Sequence, residues 1–124
     1  MSNRETALVF DKEGRTIYWH TPDNRTGGYI PDSRALWLVM WDNRDRLGGV
    51  AHTHPWDGEA GYSGIDASTW ASCEEALGCR LVWSVVTFTD IQYFAWNGSR
   101  YERLSAPPFG VVDVDELRQK SRGE

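Results

Sequence analysis

Apolar and polar positions along the chain fall into short runs that predict strands and helices in alternation. Two β-rich runs, "ETALVF" (5–10) and "RTIYWH" (15–20), flank the turn sequence "DKEG" and predict a hairpin. The run "RALWLVMWDNRDR" (34–46) follows a helix start signal at Asp32-Ser33. Its length favours a helix, although the apolar part alone also fits a strand. We therefore expect a hairpin followed by a helix.

The rest of the chain continues the same alternation. "GGVAHTH" (48–54) predicts a short strand, and "IDASTWASCEEAL" (65–77) predicts a helix that ends at Gly78. Three further segments have strand composition, the last two joined by an Asn97-Gly98 turn: "RLVWSVVTFT" (80–89), "IQYFAW" (91–96) and "RYERL" (100–104). Residues 105–124 form a tail with a short terminal helix whose ends fray. The pattern predicts one α/β domain over 1–124, a mixed sheet flanked by helices in a sandwich-like α+β arrangement.

Composition limits the kinds of function. A chain of 124 residues that is 40% apolar and 25% charged is long enough to fold as one domain without a metal or disulfide staple. A bound metal is therefore expected to serve chemistry. A net charge of -5 without a block of like charge argues against nucleic-acid binding. The longest apolar run is too short to cross a bilayer, and the N-terminus is no signal peptide, so we expect a cytoplasmic protein without membrane association.

Two histidines, His52 and His54, stand one residue apart in the predicted strand. Side chains alternate along a strand, so both imidazoles project from the same face. Neutral imidazole is the commonest metal ligand in proteins, and this spacing brings both rings within reach of one ion. When an H-x-H pattern occurs alone, the two histidines are more often linked by hydrogen bonds than bound to a metal. The pair alone does not define a site.

A second motif, Ser63-x-x-Asp66, stands at the start of the predicted second helix. It fits a capping box variant, and Asp66 also begins the apolar stripe of that helix. A carboxylate that faces the core needs a cation or a donor. A metal shared by His52, His54 and Asp66 meets that need, and three protein ligands leave a fourth position for water, as in catalytic zinc sites. Hydrolysis is the natural reaction class.

The combined pattern H-x-H-P followed by S-x-x-D resembles the signature of the JAMM (JAB/MPN+) zinc metalloproteases, in particular the compact prokaryotic members. It consists here of His52, His54, Pro55, Ser63 and Asp66. In that family a catalytic glutamate stands upstream at the entrance to an apolar strand, and Glu5 in "ETALVF" takes this place. Glu13, beside Gly14 in a turn, is a poorer candidate. The resemblance covers about residues 5–104 and implies a cytidine-deaminase-like JAB/MPN fold.

The resemblance also implies a role for each residue of the motif. One zinc ion per chain is expected on three ligands: His52, His54 and Asp66. Glu5 is expected to act as the general base on a water molecule, and Ser63 to donate a hydrogen bond to the oxyanion. Trp56 follows the motif proline on a loop that must border the metal, so we expect it to be partly exposed and to contact substrate. His20 has no partner in the motif and is expected to be structural.

The implied substrate is a ubiquitin-like protein or its conjugate, cleaved at a peptide or isopeptide bond after the C-terminal tail. E1/E2-like enzymes of the same operon are the implied partners. Two alternatives stay open: a JAMM peptidase of another substrate class, associated with phage tails or cell walls, and a non-catalytic MPN scaffold domain. The chain departs from the family before Glu5, where members carry a helix and this sequence has only "MSNR". The C-terminal tail is a candidate to replace that helix. The short loop "PWDGEAGY" is one residue longer than usual, and the ubiquitin-gripping insertion is missing.

The two cysteines, Cys73 and Cys79, have neither zinc-ribbon nor redox spacing. We expect two buried thiols that take no part in the chemistry.

Overall fold

A computed structural model describes residues 3–28, 30–31 and 33–123 of the chain. Within these residues, six strands form one sheet and three helices pack on it. The strands are β1 (Ala7–Asp11), β2 (Thr16–His20), β3 (Leu47–Thr53), β4 (Val82–Val86), β5 (Ile91–Trp96) and β6 (Tyr101–Arg103). The helices are α1 (Arg34–Asp42), α2 (Gly64–Leu77) and α3 (Val114–Ser121). The prediction of an α/β domain with a mixed sheet flanked by helices is confirmed at this level.

The strand order places the histidine strand β3 inside the sheet. The order is β2-β1-β3-β4-β5-β6, with β3 and β4 parallel and the other neighbours antiparallel. Helix α2 makes the crossover that parallel neighbours require. The strands next to β3 approach closely, since a Cβ atom on Gly49 would overlap the carbonyl oxygen of Val82. The glycine at this position therefore permits the packing of β3 against β4.

The two faces of the sheet bury two separate apolar clusters. Helices α1 and α2 cover one face, where Val9, Met40, Trp70 and Trp83 belong to the larger cluster. Helix α3 covers the other face, and its Leu117 is fully buried there. Because side chains alternate along β3, His52 lies on the face of α1 and α2, and His54, one residue beyond the end of the strand, lies beside it.

Helix α1 is shorter than the pattern predicted. It begins after Ser33, whose hydroxyl oxygen accepts a hydrogen bond from the Leu36 N–H. It ends at Asp42, because the side chain of Asn43 donates to the Val39 carbonyl and terminates the last turn. The prediction of helix through residue 46 is wrong for 43–46, which form a turn into β3. Asp32, the other half of the start signal, lies outside the described residues.

Helix α2 confirms the predicted boundaries to within one residue. Gly78 ends it with a φ of +73°, the left-handed conformation that glycine adopts without strain. The strand that follows covers only Val82–Val86 of the predicted 80–89. The expectation of buried thiols is wrong, since Cys73 and Cys79 are both half-buried. Cys73 lies beside the large cavity described below, and Cys79 follows the end of α2 in a surface groove.

The C-terminal segment is part of the folded core. The Ser121 hydroxyl of α3 donates to the Arg4 carbonyl at 2.6 Å and lies 2.9 Å from the Thr53 hydroxyl. Helix α3 therefore packs beneath the ends of β1 and β3, on the face opposite α1 and α2. In the described part of the chain, no helix has the length and apolar character needed to cross a membrane.

A buried carboxylate, Glu74, fixes α2 against the sheet. It accepts hydrogen bonds from the Leu81 N–H at 2.8 Å, the Trp83 indole N–H at 3.1 Å and the Tyr101 hydroxyl at 2.6 Å. Arg80 adds a fourth contact at 2.9 Å. Burial of Tyr101 and its bond to Glu74 raise the pKa of the phenol well above its usual value. The position of α2, which carries Asp66, depends on this cluster.

We expect Glu74→Gln to lower the free energy of unfolding by about 3 kcal/mol, because the amide nitrogen would face a donor and leave buried groups unpaired. Urea denaturation of the variant measures the loss. The exposed neighbour provides the control, and Glu75→Gln should change stability by less than about 0.5 kcal/mol. Equal stability of the two variants would contradict the anchoring role of Glu74.

Candidate metal centre

The pairing of β1 with β3 brings Glu5 and the two histidines to one place. Ala7 pairs with His52, and the Thr53 N–H donates to the Thr6 carbonyl at 2.9 Å just beyond the strand. Continuing this antiparallel register places Glu5 opposite His54. Opposite residues share a face, so all three side chains project toward α2. The ligand atoms of Glu5, His52 and His54 lie within 4.8 Å of one another, and this group could hold a metal ion.

Asp66, at the start of α2, meets the same two histidines. The Nε2 atoms of His52 and His54 are 3.2 Å apart. The Asp66 carboxylate lies 3.4 Å from each, through Oδ1 to His52 and Oδ2 to His54. One oxygen-bearing and two nitrogen-bearing side chains therefore converge on a single point.

These separations fit a shared metal ion better than hydrogen bonds. A charge-assisted N–H···O bond is about 2.7 to 2.9 Å long, shorter than either contact of Asp66. Each Nε2 atom carries at most one proton, yet each faces two partners. Ligands that surround zinc tetrahedrally at its usual bond lengths are about 3.3 to 3.5 Å apart. The donor set and its spacing fit a three-ligand zinc site.

The helix terminus fixes the orientation of Asp66. The Ser63 hydroxyl accepts from the Asp66 N–H at 3.0 Å, and the Ser63 N–H donates to Asp66 Oδ2 at 2.9 Å. The predicted capping box is thus present in full. Burial raises the pKa of Asp66, but the adjacent imidazole rings of His52 and His54 and the hydrogen bond from the Ser63 N–H lower it more and hold it far below its usual value. A carboxylate with so low a pKa is ionised at neutral pH, and this is the form in which carboxylates bind metals.

Glu5 occupies a different electrostatic environment. It is buried, and its N–H donates to the Thr26 carbonyl at 2.7 Å, which ties it to the loop after β2. Burial raises the pKa of Glu5 above its usual value, and the nearby charges of His52 and His54 oppose that rise. A carboxylate with a raised pKa accepts a proton more readily, the property that a general base needs.

Ser63 lies at the mouth of the site. Its oxygen accepts the capping bond, and its own O–H remains able to donate a hydrogen bond. The side chain is exposed and lines the cavity that contains the histidines. Capping is confirmed by the structure, while the oxyanion role stays a prediction.

Trp56 contacts a predicted ligand directly. Its ring stacks on the His54 ring with centroids 4.9 Å apart and planes at 24°. The residue is 49% exposed, as expected for a position at the edge of the site. The stacking, which restrains the rotation of His54, could not be predicted from the sequence.

A cavity of about 710 Å³ contains all of these side chains. Its lining includes His20 and several residues that the sequence analysis did not single out, among them Leu36, Met40, Val50 and Ile65. The Nε2 atom of His20 lies 2.6 Å from the Pro31 carbonyl, which agrees with a structural role. Ile65 is 80% exposed at the rim, next to Asp66. These lining residues lie on four different helices and strands. From the sequence, only the periodic spacing of apolar residues within each element could have indicated which of them face the same side.

Comparison with protein-family models and with curated proteins gives no match for this chain. The motif and the geometry of the candidate metal centre are therefore the features that indicate a function.

We expect Trp56→Ala to lower kcat/KM by about 10-fold, because the ring covers His54 and borders the cavity. The fold should persist, since the side chain is half exposed. Steady-state kinetics and circular dichroism measure the two effects. Trp56→Phe keeps an aromatic ring over His54 and should recover most of the activity. Loss of folding in the alanine variant would show instead that Trp56 belongs to the core.

Proposed function

We propose that the protein is a zinc-dependent amide hydrolase of the JAMM type, with a cytidine-deaminase-like JAB/MPN fold. The observation that carries the proposal is the convergence of His52, His54 and Asp66 at separations of 3.2 to 3.4 Å. Glu5 next to this group supports a catalytic site over a structural one, because a general base is of use only where water and substrate enter.

Each residue of the proposed site has a separate role in amide hydrolysis. A zinc ion, when bound, supplies Lewis acidity and lowers the pKa of a coordinated water to about 7. Glu5 accepts the proton of the attacking water and returns it to the departing amine nitrogen. Ser63 donates its O–H to the carbonyl oxygen as negative charge develops there, a role worth a few kcal/mol. His52, His54 and Asp66 hold the centre in place, and Trp56 restrains His54.

The substrate follows from the resemblance to the JAMM family. The proposed substrate is a ubiquitin-like protein or conjugate, cleaved after its C-terminal tail, with E1/E2-like enzymes as partners and a cytoplasmic location. A peptidase for phage-tail or cell-wall peptides would use the same centre. A scaffold MPN domain would need neither an ordered ligand set nor a buried glutamate beside it, so the observed arrangement favours an enzyme.

Metal content tests the proposal. We expect purified protein to bind about one zinc ion per chain, measured by elemental analysis after dialysis. Zinc-loaded protein should cleave ubiquitin-like fusions or short peptide amides, and a chelator should abolish the cleavage. A chain that binds no zinc when zinc is supplied would refute the proposed function.

A further inference from the structure

One side of the cavity, between α1, α2 and the sheet, is lined by apolar side chains, and we call this side the apolar chamber. Six residues line this chamber: Leu36, Met40, Val50, Trp70, Cys73 and Trp83. Met40, Trp70 and Trp83 are buried, and the other three are half-buried. The chamber is distinct from the rim at Trp56 and Ile65, where apolar side chains face solvent.

The floor and the wall of the chamber are continuous with the ligands. Val50 lies two residues before His52 on the same face of β3, about 7 Å along the strand. It pairs with Val9 on one side and Trp83 on the other, so the floor is apolar across three strands. The Trp70 ring meets the His52 ring edge-on at 6.4 Å and stacks on Trp83 at 5.3 Å. An aromatic wall thus runs from the ligand into the chamber.

The chemistry of the lining selects its occupant. The Trp83 indole N–H is already bound to Glu74, so that ring presents only carbon to the chamber. The whole cavity, metal centre and rim included, has a volume of about 710 Å³, within the range of about 300 to 1,000 Å³ typical of small-molecule sites. A substrate with glycine next to the scissile bond has no side chain that could enter the chamber. A large apolar side chain next to the scissile bond would cover the apolar lining of the chamber and exclude water from it.

We infer that the apolar chamber is a specificity subsite for a bulky apolar residue, of leucine or phenylalanine size, adjacent to the scissile amide. The inference rests on the proposed function and, within it, favours the alternative peptide substrates over a ubiquitin-like tail. A ubiquitin-like tail that ends in glycines leaves the chamber unfilled. The preferred substrates are therefore chains with a large apolar residue next to the cleaved bond.

Two hydroxamates test the inference on zinc-loaded protein by titration calorimetry. N-acetylphenylalanine hydroxamate and N-acetylglycine hydroxamate share a zinc-binding group and differ in the side chain next to it. We expect the phenylalanine probe to bind at least about tenfold more tightly, from burial of its ring. Leu36→Trp should fill the chamber and abolish this preference. Leu38→Trp, on the exposed side of the same helix, should keep it.

Equal affinities of the two probes for the wild-type protein would overturn the inference, as would a preference that survives in folded Leu36→Trp. A second measurement does not depend on that variant. In Cys79→Ser, the phenylalanine probe should slow alkylation of Cys73 by iodoacetamide, while the glycine probe should not. If the chain binds no zinc, the proposed function fails, and protection of Cys73 by N-acetylphenylalanine amide then tests the chamber alone. Absence of protection in that case would refute the chamber as well.

Discussion

Glu5→Gln should leave the protein folded and zinc-loaded while it lowers kcat by about 100-fold or more. Glutamine keeps the size of the side chain and removes its capacity to accept a proton. The general base contributes to the transition state and little to metal affinity in the ground state, so zinc content should match that of the wild type. The turnover of a peptide amide and the zinc content, measured on the same preparation, give both quantities.

Glu13 supplies the matched control. It is exposed in the turn between β1 and β2, and Glu13→Gln should be nearly silent in both measurements. Wild-type turnover in Glu5→Gln would show that the base lies elsewhere. Loss of zinc from Glu5→Gln would show that Glu5 ligates the metal together with His52 and His54, the other role that their proximity permits.

Asp66→Asn should weaken zinc binding by more than about 100-fold. Loss of an outer-shell partner weakens metal binding by about 10- to 100-fold, and loss of a direct ligand should cost more. The substitution removes the negative charge from the ligand set and leaves a weak amide oxygen in its place. The amide oxygen can still accept the Ser63 N–H, so the start of α2 should persist. Competition with a chromophoric chelator measures the zinc affinity, and circular dichroism checks the helix.

Ser63→Ala separates the cap from the ligand. It removes the hydroxyl that accepts the Asp66 N–H and should lower the free energy of unfolding by about 1 kcal/mol. Zinc affinity should stay near the wild-type value, because the carboxylate and both histidines remain. If the two variants lost zinc equally, Asp66 would act through the helix terminus and not as a ligand.

Local patterns were sufficient to predict the parts of the chain that carry the motif. Alternation around His52 and His54 predicted a strand with both rings on one face, and Ser63 with Asp66 predicted a capped helix start. Both predictions are confirmed by β3 and by the capping box of α2. These features depend on neighbours within a few residues, which is why a single sequence is enough to find them.

Other parts depend on contacts between segments that are distant in sequence. Nothing in the charged C-terminal segment indicated that Leu117 would be fully buried or that Ser121 would contact Thr53. The apolar chamber likewise combines side chains of α1, β3, α2 and β4, so no local pattern contains it. The end of α1 was mispredicted because the Asn43 side chain competes for the helix carbonyls, an interaction that apolar periodicity does not report.

The three proposed ligands occupy one continuous stretch of chain, from the end of β3 to the first turn of α2. Closing so short a loop around an ion costs little chain entropy, and the cost grows only slowly with length. We therefore expect the unfolded chain to retain some affinity for zinc, which would reduce the net gain in stability that the ion gives to the native state. Glu5 and the apolar chamber join the ligands only after the strands have paired. Metal loading can thus precede the assembly of a competent catalytic site. A molecule whose metal site is occupied is therefore not necessarily active.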